Sequence, residues 1–145
     1  MTMHATGSIE PKTWGENAFA PATGGPRLAH AAGTDLYHGD VEAEATFRYV
    51  VIYREGTAYH ADGSVDYATA RASFVGLQRV VGRVGERSGS FALEVSGTSE
   101  GGVTAATWSV APGSGTGELR GLGGKGGFVY EEGKGSSITL DYDLL

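Results

Sequence analysis

Val41-Glu42-Ala43-Glu44-Ala45-Thr46-Phe47-Arg48-Tyr49-Val50-Val51-Ile52-Tyr53-Arg54, followed downstream by Ala70-Arg71-Ala72-Ser73-Phe74-Val75-Gly76-Leu77-Gln78-Arg79-Val80-Val81, decides the fold class. Side chains on a strand point alternately to its two faces, so alternation sustained over this length specifies half-buried antiparallel sheet. Between the two segments lies Asp62-Gly63, a preferred two-residue hairpin turn. Centring the hairpin there pairs Val51 with Phe74, Tyr49 with Gly76, Phe47 with Gln78 and Ala45 with Val80. One face then holds Ala45, Phe47, Tyr49, Val51, Tyr53, Ala72, Phe74 and Val80, with Gln78 its lone polar member. The other face holds Glu44, Thr46, Arg48 and Arg79 together with Val50, Val75 and Leu77. A slip of one residue would destroy this separation, so the pattern supports the pairing.

Working outward, Gly97–Gly102 reads as a second turn cluster. Centred on Glu100-Gly101, it pairs Val95 with Ala106, Leu93 with Trp108 and Phe91 with Val110, again as one apolar face. Phe128, Tyr130, Ile138, Leu140 and Tyr142 form a third apolar set around the turn at 132–135. Strands are expected at about 2–12, 27–38, 41–54, 70–81, 88–97, 103–111, 126–131 and 136–143. One short helical turn is expected around Glu118–Leu122 within a glycine loop. Antiparallel strands with near-neighbour links and one apolar face each predict an all-β fold: a closed eight-stranded up-and-down meander barrel as a single domain, 1–145. A barrel of that size has an interior that is filled by side chains or holds one small ligand.

Composition narrows the function. The chain of 145 residues carries a formal net charge of −6 with scattered basic residues, which argues against nucleic acid. It has no cysteine, so disulfides, thiolate metal sites and cysteine nucleophiles are excluded. No run approaches the roughly 18 apolar residues of a membrane helix, and the first eleven residues lack a signal-peptide pattern, so a cytoplasmic protein is expected. Gly97-Thr98-Ser99-Glu100-Gly101 matches a nucleophile-elbow string, but a strand rather than a helix follows it, so it reads as a hairpin turn. Gly121-Leu122-Gly123-Gly124-Lys125-Gly126 has dinucleotide-motif spacing without a βαβ unit and reads as a flexible loop. His30 and His38 would lie about 26 Å apart on one strand, and with His4 and His60 they predict no metal site. Glu42 and Glu44 read as half of an outer ion-pair ladder with Arg48 and Arg79.

Gln78 is the sharpest candidate, because a buried amide must bond a neighbour or address a ligand. The catalytic candidates are Gln78, Tyr49 and Tyr53, and the candidate lining is Phe47, Phe74, Phe91, Leu93, Trp108, Phe128 and Tyr130. His60 lies beside the tip of the long hairpin with Tyr59 and Tyr67, a position placed to touch a ligand entering a barrel mouth.

Several separated motifs carry a family resemblance: Met1-Thr2-Met3-His4-Ala5-Thr6-Gly7, Trp14, Gly39-Asp40-Val41-Glu42, Phe74–Gly82, Gly89-Ser90-Phe91 and Asp141-Tyr142-Asp143. Together they resemble a small bacterial family, domain of unknown function 3224, over nearly the whole chain. The resemblance implies a closed eight-stranded barrel similar to allene oxide cyclase and brings no assigned reaction. The chain departs from the family pattern in having Gln78 where an acidic residue is usual, which argues against a general acid or base there. It departs also in a longer link at Glu55–Arg71, which implies that the hairpin carrying Tyr59, His60 and Tyr67 acts as a lid or a partner-binding arm. The functional expectation is a barrel that binds a hydrophobic small molecule, as a cofactor-independent cyclase or isomerase. Confinement against Phe47, Tyr49, Phe74 and Trp108 would do most of the work, with Gln78 or a tyrosine hydroxyl polarising a carbonyl. A non-catalytic carrier, or a filled barrel acting through an oligomer surface, are the alternatives. No cofactor or metal is expected, and Val50, Ile52, Val75 and Leu77 on the outer face predict a homodimer.

Overall fold

The computed structural model describes residues 2–144. Its strands are β1 (Met3–Ala20), β2 (Arg27–Gly39), β3 (Val41–Tyr53), β4 (Arg71–Val84), β5 (Arg87–Glu100), β6 (Val103–Val110), the two-residue β7 (Thr116–Gly117), β8 (Leu122–Glu131) and β9 (Gly135–Leu144). Each long strand pairs antiparallel with the next, β6 pairs with β8, and β9 pairs with β1. The ring is therefore a closed eight-stranded meander barrel, and no helix occurs among the described residues. Closure shortens the free sheet edges that an open meander would expose, leaving a long one on β1 beyond Gly7.

The β3–β4 register is the expected one, with Val51 opposite Phe74 and Phe47 opposite Gln78. The turn is not. His60 accepts a hydrogen bond from the Gly63 N–H at 2.9 Å, and of these residues only Gly63 takes positive φ, at +89°. Ala61 and Asp62 are the central residues, held there because the Asp62 carboxylate accepts from the N–H and hydroxyl of Ser64. The β5–β6 hairpin turns at Gly101-Gly102, both at positive φ (+61° and +82°), so Val95 faces Trp108 and Leu93 faces Val110. That is a slip of two residues from the expected register, which keeps every side chain on its expected face. Glycines occupy both positions where Glu100 would have been strained.

Three further expectations are corrected. The first strand runs to Ala20 rather than stopping near residue 12, because a bulge between Pro11 and Thr13 absorbs the proline and pairing with β2 resumes. The expected helical turn is absent: residues 118–121 form successive turns, with Leu119 N–H bonded to Thr116 O at 3.0 Å. Leu122–Gly126 is strand rather than loop: β8 begins at Leu122.

The inner faces form one core that includes Val41, Phe47, Tyr49, Phe74, Leu93 and Trp108, none more than 7% exposed. Glycines let the rings lie flat on the wall: a Cβ at Gly76 would stand 2.6 Å from the Tyr49 ring and 2.0 Å from the Arg48 carbonyl oxygen. At one end, the turn carrying Leu119, which is fully buried, plugs the barrel. At the other, the link 54–70 folds over the rim and inserts Val65 and Ala70 into the core.

Candidate functional site

Two chains of aromatic rings line the barrel, the first beginning at the exposed Tyr67 and Trp14 on its rim. Tyr67, Trp14, Phe47, Tyr49 and Phe74 follow one another with centroids 4.8–6.2 Å apart. Tyr37, Trp108 and Phe128 make the second, at 5.9 and 5.5 Å. Gln78, 2% exposed, ties the two together. Tyr37 donates its hydroxyl proton to Oε1 of Gln78 at 2.5 Å, and Nε2 of Gln78 donates to the Tyr49 hydroxyl at 2.6 Å. Tyr49 accepts this bond, and its own O–H has no acceptor among the described residues. Burial pushes the pKa of both phenols up, so both are neutral proton donors over the physiological range.

Asp35 stands on the same inner face as Tyr37, two residues before it on β2 and opposite the buried Ala45. It is half-buried and accepts no hydrogen bond among the described residues. Desolvation pushes its carboxyl up to about 6, and its charge in turn raises the pKa of Tyr37 and Tyr49. A carboxyl that titrates near neutrality beside neutral phenols is suited to moving a proton.

Asp35 keeps part of its surface in water, on the strand next to a seam that is only partly hydrogen-bonded. β1 pairs with β9 only through Met3–Gly7. Beyond that, the Ser136 hydroxyl stitches the seam by accepting from Ile9 N–H at 2.8 Å. The rest of β1 pairs only with β2. Phe128 and Tyr130, facing inward on β8, are half-buried, and Trp14 is 49% exposed.

The β1 bulge switches the parity of inward-facing residues from Ile9 and Pro11 to Trp14 and Glu16. Glu16, with its side chain 5% exposed, accepts from Tyr53 and, at 2.6 Å, from Tyr67; Arg27 Nη2 lies 3.8 Å away. Arg27 packs over the Tyr53 ring, and its Nε is buried without an acceptor. Burial, reinforced by the Glu16 carboxylate, pushes the Tyr53 hydroxyl up and that of Tyr67 up to about 12. Trp14 Nε1 donates to the Tyr67 hydroxyl at 3.0 Å, so Tyr67 anchors the link 54–70 to the β1 arm.

The candidate residues therefore separate. Gln78, Tyr49, Phe47, Phe74, Trp108 and Phe128 come together, while Phe91 and Leu93 are fully enclosed core and Tyr130 lies toward the far end of β8. Tyr53 belongs to the Glu16 cluster at the rim, away from the Gln78 chain. Tyr67 and the partly buried Tyr59 lie in the link 54–70, and His60 is exposed at its tip. Asp35 and Glu16 are not among the residues expected from sequence. The expected outer ion-pair ladder does not form: Glu42 bonds His38, and Glu44, Arg48 and Arg79 make no ion pair among the described residues. No group of three or more metal-ligating side chains is assembled among the described residues, and no helix there is long and apolar enough to cross a membrane.

The family model for "protein of unknown function (DUF3224)" matches residues 5–142. A crystal structure of a protein with unknown function from that family, from Shewanella oneidensis MR-1, is 25% identical and superposes with a TM-score of 0.76, covering 100% of this chain and 99% of the other. No curated protein matches the chain. A match across nearly all the barrel strands, with a relative of the same fold over its full length, places the chain in the DUF3224 family.

Proposed function

We propose that the barrel binds a small apolar carbonyl compound at the seam beside β1 and isomerises or cyclises it by proton transfer, without a cofactor. The observation that carries this reading is the inward-facing, hydrogen-bond-free carboxyl of Asp35 beside the Tyr37–Gln78–Tyr49 chain. Phe47, Trp14 and Phe128 supply the apolar contact. The ionised Asp35 removes a proton from the carbon next to the carbonyl, and the C–H electrons move onto the oxygen. The free O–H of Tyr49 stabilises that oxygen, and Asp35 returns the proton at a second carbon. Substrate and product are isomers, so the step balances without an oxidant or reductant.

The second reading, a carrier, uses the same rings and leaves Asp35 idle. The two are separated by Asp35→Asn and Asp35→Ala. Native mass spectrometry of protein purified from its source should reveal a bound apolar ligand in wild type and Asp35→Asn alike. Isotope exchange of that ligand's acidic C–H in heavy water should be catalysed by wild type and lost in both variants. Exchange undiminished in Asp35→Asn would remove Asp35 as the base, and a wild type that does not accelerate exchange would leave only the carrier.

A further inference from the structure

The outer face of β3 and β4 carries an apolar strip with no cover in the protomer: Val50 is 44% exposed, Ile52 38%, Val75 57% and Leu77 59%. Monomers seldom leave such a contiguous patch in water. Four charges frame it, Glu44 and Arg48 on β3, Arg79 on β4 and Glu94 on β5, and none makes an ion pair among the described residues. Two acids and two bases around an apolar centre sum to zero, which suits a surface that meets its own copy.

The register fixes how. Val50 pairs with Val75, Arg48 with Leu77, and Leu77 in turn with Glu94; Thr46 pairs with Arg79, and Glu44 with Val81. A twofold axis running along the seam between β3 and β4 exchanges the two strands and keeps each row opposite itself. Val50 then packs on the partner's Val75, and Val75 on the partner's Val50. Arg48 falls over the partner's Leu77, one strand spacing from the partner's Glu94. Arg79 falls over the partner's Thr46, two residues along the strand from the partner's Glu44. All four charges meet an opposite sign. A twofold perpendicular to the strands and centred on the Arg48 row would instead set Arg48 against its own copy, a like-charge contact in an interface.

We infer that the chain forms an isologous homodimer through the outer face of β3 and β4, with the axis along their seam and Arg48 paired to the partner's Glu94. This surface lies outside the barrel and is independent of the proposed chemistry within it. Sedimentation equilibrium on wild type, Arg48→Glu, Glu94→Arg and the double exchange tests it, with circular dichroism melts confirming that each variant folds. Wild type should be dimeric at micromolar concentration, and each single reversal should weaken dimerisation about tenfold or more. The double exchange should restore it to within about threefold of wild type. Val75→Glu should give a folded monomer. A monomeric wild type, a dimer unaffected by Val75→Glu, or a double exchange no tighter than the singles would each overturn the assignment.

Discussion

Tyr37 and Tyr49 never touch through a direct hydrogen bond, yet Gln78 joins them, accepting from the first at 2.5 Å and donating to the second at 2.6 Å. Among the described residues the amide is thus the one polar link between the two aromatic chains. Gln78→Leu strands the Tyr37 hydroxyl without an acceptor and should cost about 2–4 kcal/mol by urea unfolding. Adding Tyr37→Phe and Tyr49→Phe removes the stranded groups and should recover a large part of that loss. A triple variant no more stable than Gln78→Leu would show that volume, not hydrogen bonding, sets the cost.

Asp35 should make stability fall with rising pH. The folded protein holds its proton to about pH 6, whereas the unfolded chain releases it near 3.8. Between these values the unfolded state binds fewer protons, so stability declines as pH rises and stays reduced above the folded pKa. Asp35→Asn should therefore stabilise the protein by roughly 1–2 kcal/mol at about pH 7.5, a value discounted because water reaches the carboxyl. At about pH 4 the gain should be much smaller. Denaturant titrations at the two pH values check it; equal gains at both would assign the effect to packing.

The link 54–70 is internally bonded, with Asp66 N–H donating to Ala58 O at 2.9 Å, but its attachment to the β1 arm runs through the Tyr67 hydroxyl. Tyr67→Phe removes both of those bonds and leaves Val65 and Ala70 seated in the core. Faster amide hydrogen exchange across Thr57–Thr69 is expected, with a melting temperature within a few degrees of wild type. Unchanged exchange in this segment would place the anchor at Val65 instead.

Gly76 and Gly123 both lie in strands, and alanine should separate them sharply. At Gly76 the new methyl would meet Arg48 O and the Tyr49 ring, neither able to retreat without opening the β3–β4 ladder. At Gly123 nothing lies within 4 Å. Gly76→Ala should cost about 3 kcal/mol or more, and Gly123→Ala should fall within about 0.5 kcal/mol of wild type. Thermal melts of the pair suffice to check both.

His38 sits between Glu10, at 2.9 Å, and Glu42, at 3.3 Å, and these two carboxylates raise its pKa above the ordinary imidazole value. Proton NMR should find His38 titrating above the ordinary imidazole value, and Glu10→Gln should bring it down.

Strong alternation makes the inside and outside of β3, β4, β5 and β6 legible in the order of residues alone. Centring the β5–β6 turn on Glu100-Gly101 instead of Gly101-Gly102 does no harm to face assignment, because an even slip preserves parity. The Gln78–tyrosine contact is foreseeable for the same reason: one amide among rings must bond something. Asp35 is hidden by its neighbours. Ala29, Ala31 and Gly33 precede it on the inner face, and small residues give no apolar contrast to mark that face. Glu16 is hidden by the bulge at Pro11–Thr13, which reverses parity within β1 and turns a seemingly outward acid inward. Backbone irregularity of that kind leaves no trace in a two-residue repeat.

The ring is shut by its earliest and latest strands, with Met3–Gly7 paired to Ile138–Tyr142 and His4 bonded to Asp141 across 137 positions of sequence. Seven of the eight barrel junctions can zip locally from their turns, but this one must wait for almost the whole polypeptide to be gathered. Loop-closure entropy makes it the natural final step of folding, and places the barrel among slow-folding topologies. Until it closes, β1 and β9 are two bare ladders in search of a strand, so the interval before closure is when these chains are most prone to pair with one another.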